Sequence, residues 1–318
     1  MTVTRRAILL AVTGIDPMTW EERFRARAPA RDIRRWPEHQ GDLADIAYAC
    51  AWQAPRGLLA TLPNLRAIFS LGAGADHLLT DLALPAVPVV RIVDPDLTMR
   101  MTEYVVLHVL MHHRRQRQYD AQQRERVWHE HEQAPASAVT VGVMGLGVLG
   151  CDAAQALARL GFRAAGWSRT QKDLPGVETF HGSAGLDPFL SRTEILVCLL
   201  PATPATQGIL RLELLRKLKR DGAGGACLIN AGRGALQVDA DILTALDEGS
   251  LAAATLDVFP TEPLSAASPL WAHPRVTITP HCAAYSDPGA LTANILRQIE
   301  RLEAGLPLEH VVDRAVGY

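Results

Sequence analysis

The sequence predicts an α/β protein built from two doubly wound parallel-sheet domains, one inserted into the other. Two observations carry this expectation. Short apolar runs alternate with longer helix-like stretches along most of the 318 residues, the pattern of strands buried under helices. The runs also fall into two separate series, with one helix between them and another after the second, which means two sheets rather than one.

The first series is Ile8–Val12, Ile33–Trp36, Ile46–Ala49, Ala67–Ser70 and Val89–Ile92. After Val12 the run stops at Gly14-Ile15-Asp16-Pro17, which reads as a strand feeding a loop. Met101 to about Tyr119 reads as one helix with Val105, Val106, Val109 and Leu110 on its apolar side, and the polar stretch Gln116 to Ala138 as an exposed excursion. The second series is Val139–Met144, Ala164–Trp167, Ile195–Leu199, Ala226–Ile229, Ala252–Leu256 and Val276–Ile278. A helix from Pro288 to Ala304 follows, with Leu291, Ile295, Ile299 and Leu302 at three- to four-residue spacing. Only residues 305–318 remain, too few for a third domain. One helix therefore leads into the second domain and one leads back, giving a first domain of residues 1–102 and 285–318 around a second of residues 103–284.

Lys plus Arg (32) against Asp plus Glu (34) leaves a net charge of −2, so no electrostatic footprint points to nucleic acid or an anionic membrane. No apolar stretch approaches the roughly 18 residues of a membrane span. Cys50, Cys151, Cys198, Cys227 and Cys282 are widely spaced with no C-x-x-C, which argues against a disulfide framework and suits a reducing, cytoplasmic setting. Arg5-Arg6 precedes an apolar run, Ala7 to Val12, shorter than a secretory leader needs.

Val139–Met144 leads into Gly145-Leu146-Gly147-Val148-Leu149-Gly150 and then the helical Cys151–Leu160. A G-x-G-x-x-G between a strand and a helix is a dinucleotide fingerprint of the Rossmann type. Gly145 permits the tight turn, Gly147 lets backbone approach a pyrophosphate, and Gly150 lets the helix pack against the sheet. The next strand ends in Trp167-Ser168-Arg169-Thr170, where an NAD site usually has Asp or Glu for the ribose hydroxyl. Ser168 and Arg169, with Lys172 nearby, suit a 2′-phosphate instead. The cofactor expected is NADP(H), with NAD(H) the weaker alternative.

Three later segments combine unusual residue types at strand ends: Asn230-Ala231-Gly232-Arg233-Gly234, Asp257-Val258-Phe259-Pro260-Thr261-Glu262-Pro263 and Thr279-Pro280-His281-Cys282. In order with the glycine motif, they resemble the D-isomer-specific 2-hydroxyacid dehydrogenases over nearly the whole chain. Trp167-Ser168-Arg169, Pro269-Leu270-Trp271, His273 to His281 and Val312-Asp313-Arg314 look like the glyoxylate/hydroxypyruvate reductase A branch. The resemblance implies a Rossmann cofactor domain inserted into a flavodoxin-like substrate domain. It also implies NADPH-dependent reduction of glyoxylate and hydroxypyruvate. His281 would donate the proton, Glu262 would favour its imidazolium, and Arg233 would offer its planar fork to the substrate carboxylate and carbonyl oxygen.

The same resemblance extends the cofactor set to Leu200, Pro201, Thr206, Ala231, Gly232, Asp257 and Ala283, with Arg233 and His281 shared. It gives the substrate Trp52 and the small-residue loop Leu71-Gly72-Ala73-Gly74 of the first domain, whose backbone N–H groups would hold a carboxylate. Met101-Thr102-Glu103-Tyr104 would pack near the nicotinamide or simply start a helix. It also implies a homodimer, with Tyr119–Gln133 reaching across the two-fold axis and Trp128 as an anchor. Two other readings keep the fold: a reductase of a bulkier 2-keto acid, and a redox-sensing binding protein like the C-terminal-binding co-repressors.

Other features rank lower. His112, His113, His129 and His131 lack an acidic cluster, and adjacent histidines point to different helix faces, so no metal is expected. Cys151 stands at a helix N-terminus, which can lower a thiol's pKa, although packing is the simpler role. Arg114, Arg115 and Arg117 read as a solvated face.

Overall fold

The computed structural model describes residues 6–222 and 224–318. In chain order come β1 (Ala7–Val12), α1 (Pro17–Arg27), β2 (Ile33–Arg35), β3 (Ile46–Trp52), β4 (Ala67–Ser70), the single-turn α2 (Asp76–Leu79) and β5 (Val89–Val90). Then come α3 (Pro95–His113), α4 (Gln116–Glu125), β6 (Thr140–Met144), α5 (Val148–Arg159), β7 (Arg163–Ser168), β8 (Val177–His181) and α6 (Gly182–Leu190). The remainder are β9 (Ile195–Cys198), α7 (Leu212–Leu215), β10 (Cys227–Asn230), α8 (Asp239–Asp247), β11 (Ala253–Leu256), β12 (Val276–Ile278) and α9 (Pro288–Glu303).

The chain divides into two compact units. One holds the described residues up to Leu97 together with Ser286–Tyr318, the other Thr98–Tyr285. In the first unit the parallel sheet runs β2-β1-β3-β4-β5, the flavodoxin-like order. All six residues of β1 and all four of β4 are buried, as strands covered on both faces must be. Here α9 starts with Asp287 accepting from the Ala290 N–H and Pro288 at its first position, and it buries Leu291, Ile295 and Ile299.

The second unit has the parallel order β8-β7-β6-β9-β10-β11-β12, the Rossmann order extended by one strand. Met144, Leu196, Leu228 and Leu256 build one covered face, and Val141, Val143, Val197 and Ile229 the other. The order reverses between β1 and β3 in one sheet and between β6 and β9 in the other. Loops diverge at these points and leave a crevice, so ligand sites form at their carboxyl ends.

The loop expected after β1 is present, and it ends in a cap: Asp16 accepts from the Met18 N–H and Pro17 starts α1. Three local expectations are corrected. The helix expected from Met101 to Tyr119 is two helices, α3 and α4. It begins earlier, at Pro95, and breaks at Arg115, whose φ of 54° is left-handed. Beyond the break, the Arg117 guanidinium donates to Thr277 Oγ1 (2.5 Å) and to the Pro274 carbonyl, which ties α4 to the β12 segment. Part of the polar excursion from Gln116 is therefore helical, though α4 buries no residue. Finally, β8 has no counterpart in the sequence-based series, since an edge strand reading Val-Glu-Thr-Phe-His is only half-buried and carries no apolar run.

Candidate active site

The glycine turn follows β6 at the switch point. Gly145 has φ +106°, and a Cβ there would lie 2.8 Å from the Leu199 carbonyl oxygen. At Gly150 a Cβ would sit 1.9 Å from the Gly145 oxygen, so α5 packs against its own turn backbone to backbone. Around Gly147, in contrast, a Cβ would meet nothing within 4 Å. The first turn of α5 thus presents open backbone where a pyrophosphate would sit, and these residues fit a dinucleotide. Leu146 is buried against Gly166, whereas Val148 is exposed.

At the end of β7, Ser168 is 7% exposed and its hydroxyl donates to the Thr170 carbonyl (2.7 Å). Ser168 therefore shapes the turn, while Arg169 and Lys172 are its exposed cations and no carboxylate occupies residues 167–170. Across the switch point Leu200 is buried, and Thr206 Oγ1 donates to the Pro201 carbonyl (2.7 Å). Ala231, Gly232 and Ala283 are buried, with Leu149, Pro201 and Thr206 partly so.

Arg233 leaves β10 in an extended conformation held by Asn230. The Asn230 amide donates to the Arg233 carbonyl (3.2 Å) and to Gln237 Oε1 (2.7 Å), and its oxygen accepts from the Gly232 N–H (3.1 Å). Next to it, a Cβ on Gly234 would lie 1.9 Å from the Phe259 carbonyl carbon. Only glycine lets the Arg233 segment approach the loop that carries Glu262 so closely.

The centre of the candidate site is a carboxylate–imidazole pair. Glu262 Oε1 accepts from the Phe259 N–H (3.0 Å), and Oε2 lies 2.7 Å from His281 Nδ1. Burial alone would raise the Glu262 pKa, but hydrogen bonds from His281 and Phe259 and the charge of Arg233 bring it below the usual carboxylate range. Arg233, Glu262 and His281 thus come together at the carboxyl ends of β10, β11 and β12.

His281 itself has φ +52°, a left-handed conformation that costs a non-glycine residue on the order of 1 kcal/mol. Asp257 holds it there. The Asp257 carbonyl accepts from the His281 N–H (2.7 Å), and its buried carboxylate accepts from the N–H groups of Cys282 (2.9 Å) and Ala283 (3.0 Å). Thr279 Oγ1 completes the set by donating to the Asp257 carboxylate at 2.6 Å, so Asp257 shapes the turn. Since a carboxylate only accepts, Thr279 spends its hydrogen on Asp257, and the Tyr104 hydroxyl, 2.7 Å away, donates to Thr279. Burial pushes the Tyr104 phenol's pKa upward, keeping it a donor.

Asn230 and Thr279 were missed as functional positions. Both lie inside motifs read from the sequence, beside the residues they position. Tyr104 lies within α3, so the alternative reading of Met101–Tyr104 as a helix start does not hold.

Trp52 and Leu71–Gly74 belong to the five-stranded unit. Ser70 Oγ donates to the Gly74 carbonyl (2.7 Å) and accepts from the Gly72 N–H (3.3 Å), which closes the small-residue turn. A Cβ on Gly72 would lie 2.5 Å from Trp52 Cζ3, and the Trp52 ring in turn meets His77 at a tilt, centroids 5.0 Å apart.

The remaining candidates scatter. His112 is partly buried beside Thr255 Oγ1 (3.0 Å), and desolvation pushes its pKa down to about 3. His113 packs edge-on to Phe162, and His129 to His131. Among the described residues no group of three or more His, Cys, Asp or Glu could hold a metal ion. Cys151 is half-buried, and burial raises its thiol pKa, against the lowering that a helix N-terminus can bring. Cys282 is raised as well, by burial and by Asp257.

Residues 106–283 match the family of D-isomer specific 2-hydroxyacid dehydrogenase NAD binding domains. The chain belongs to that family. Among its dehydrogenase relatives is a glyoxylate/hydroxypyruvate reductase A from Yersinia enterocolitica, 41% identical over 94% of this chain and 96% of the relative. One solved structure, an NADPH-dependent glyoxylate/hydroxypyruvate reductase from Sinorhizobium meliloti in complex with NADP and sulfate, is 47% identical with a TM-score of 0.94. It covers 98% of this chain and 100% of its own. A D-isomer specific 2-hydroxyacid dehydrogenase from Xanthobacter autotrophicus, in complex with NADPH and MES, matches at 40% identity and a TM-score of 0.94, covering 99% and 100% of the two chains.

Proposed function

We propose that this dehydrogenase reduces small 2-keto acids, glyoxylate and hydroxypyruvate, to D-2-hydroxy acids with NADPH, and with NADH less well. The observation that carries the reading is the 2.7 Å approach of His281 Nδ1 to Glu262 Oε2 at the same sheet edge as Arg233 and the open glycine turn. The nicotinamide supplies a hydride when bound. Glu262 can only accept, so Nδ1 keeps its hydrogen and Nε2 hands a proton to the substrate's carbonyl oxygen as it gains charge. Arg233 holds the substrate carboxylate and that oxygen through its planar fork of donors. Gly145–Gly150 would hold the pyrophosphate, with Arg169 and Lys172 on the 2′-phosphate. Leu200, Pro201, Thr206, Ala231, Gly232, Asp257 and Ala283 would line the nicotinamide end. The backbone of Leu71–Gly74 and the Trp52 ring would serve the substrate.

Steady-state oxidation of NADPH and NADH with a panel of keto acids tests the reading. NADPH should be preferred at least tenfold in kcat/KM, about 1.4 kcal/mol. Arg169→Ala should remove most of that preference and leave the NADH rate nearly unchanged. No turnover of either acid, or equal losses with both cofactors, would refute it.

Two further assignments accompany it. Trp128 is 103% exposed with Val127 beside it at 49%, apolar surface that suits the interface of a homodimer. Sedimentation as a monomer at micromolar concentration would remove that assignment. Five free cysteines suit the cytoplasm, and no helix among the described residues is long and apolar enough to cross a membrane.

A further inference from the structure

Strand β8 ends in His181, at the carboxyl edge of the seven-stranded sheet, where doubly wound folds bind ligands. β7 and β8 run parallel with Trp167 beside Phe180 and Ser168 beside His181, so the two strands stop together. Side chains alternate along a strand. Val177 packs with the core that α5 covers and Phe180 with the opposite one, which places His181 on the α5 face. Gly166, whose Cβ would meet Leu146, places Ser168 on that face as well. Adjacent strands lie about 4.8 Å apart, so His181 stands one strand spacing from the turn that carries Arg169.

Two hydrogen bonds fix this corner. Trp167 Nε1 donates to the Gly182 carbonyl (2.9 Å), joining the end of β7 to the start of α6. Thr179 Oγ1 donates to the Lys172 carbonyl (2.7 Å), joining the loop after β7 to β8. The His181 imidazole is exposed, and among the described residues it makes no hydrogen bond, ion pair or ring contact. It precedes the first residue of α6 yet does not cap that helix. Arg169 and Lys172 are exposed too, and neither residues 167–172 nor 179–186 include a carboxylate. Of the acidic residues next along the chain, Asp173, Glu178 and Asp187, the last two are engaged by Arg192 and Lys217. Three basic residues therefore share one corner of the sheet edge.

We infer that His181 donates to the 2′-phosphate of NADP(H) and completes, with Arg169 and Lys172, the set of residues that tells this cofactor from NAD(H). The inference rests on the 2′-phosphate reading of Arg169 and Lys172 above. A phosphomonoester carries about −1.5 to −2 charges at neutral pH and three acceptor oxygens, more than one guanidinium satisfies. An imidazole donates an N–H whether neutral or protonated. Arg169 and Lys172 sit in a loop, whereas the His181 backbone is fixed by its strand pairing. NAD(H) has a hydroxyl in place of the phosphate, so the contact adds to NADP(H) affinity alone.

Fluorescence titration with NADPH and NADH, which needs no substrate, tests this in wild type, His181→Ala, His181→Arg and Arg169→Ala. In His181→Ala the Kd for NADPH should rise roughly three- to fivefold, the upper range for an exposed ion pair, with the Kd for NADH unchanged. His181→Arg keeps a donor and a charge, and should bind NADPH at least as tightly as wild type. By calorimetry, 2′-phospho-ADP-ribose should bind His181→Ala more weakly by the same factor, whereas ADP-ribose should bind both proteins alike. An unchanged NADPH Kd in His181→Ala, an equal rise for both cofactors, or a His181→Arg protein as weak as His181→Ala would overturn the inference. A preference lost in Arg169→Ala and intact in His181→Ala would refute the inference and leave the reading of Arg169 standing. A wild type that binds both cofactors equally would refute that reading and the inference together.

Discussion

Each unit carries a glycine-rich turn at the carboxyl edge of a parallel sheet, and the two turns are built on different principles. In the seven-stranded unit the glycines are enforced by backbone. The Gly150 Cα faces the Gly145 carbonyl oxygen, and Gly145 faces the Leu199 carbonyl. Nothing in such a contact can rotate away. In the five-stranded unit the nearest atoms to a Gly72 Cβ belong to the Trp52 ring, and one Ser70 hydroxyl closes the turn. A ring can swing and a hydroxyl can re-pair. The turn before α5 is thus rigid in its frame, whereas the small-residue turn depends on the side chains around it.

The largest expected effect would confirm that contrast most directly. Gly150→Ala puts a methyl 1.9 Å from a carbonyl oxygen, so α5 must move. The variant should lose more than the 1–3 kcal/mol typical of overpacking, and NADPH binding with it, read by thermal unfolding and fluorescence titration. A variant that melts and binds like wild type would show that the helix can shift freely.

His281→Ala comes next. It should lower kcat by roughly 10²–10⁴ while leaving NADPH affinity intact, the usual worth of a positioned acid. A loss below tenfold would assign the proton to another group.

Smaller is the effect of the chain behind that histidine. Thr279→Val removes one donor from Asp257 and the acceptor of Tyr104, and should lower kcat several-fold with little change in KM. Thr279→Ser should restore it. Tyr104→Phe acts only through Thr279, so it should add nothing in the Thr279→Val background, and additive losses in a double-mutant cycle would break the proposed order.

Glu262 offers a pH test. Its folded pKa lies below the ordinary value, so its contribution to stability is present above about pH 4.3 and disappears as the pH falls through the folded value. Glu262→Gln should melt below wild type at pH 7, and the gap should close in acid. The alkaline limb of the pH–rate profile should also move to lower pH, because the imidazolium loses its carboxylate. A gap that widens in acid would have the wrong sign for the pairing.

The smallest effect expected is Gly72→Ala. Its methyl meets the edge of Trp52 at 2.5 Å, and a ring that yields keeps the cost near 1 kcal/mol, the low end of overpacking. A loss as large as that of Gly150→Ala would erase the distinction between the two turns.

The sequence alone determined the parallel α/β class, the nested order of two sheets and the residue types of the site. Those features are local or periodic: continuous apolar runs in strands buried on both faces, glycines before a helix, an Arg, a Glu and a His at strand ends. The tertiary structure decided what periodicity does not encode. The break at Arg115 carries no Gly or Pro, and Arg117 bound to the β12 segment accompanies it. Strand β8 joins the sheet although half its surface stays wet, because it needs only one neighbour to satisfy its backbone. The left-handed His281, the Asp257 carboxylate spent on its turn and the Tyr104 hydroxyl behind Thr279 all depend on partners 22 to 175 residues away. Hydrogen-bond partners so far apart meet only when the helices and strands pack, so a linear pattern names the residues and the fold assigns their partners.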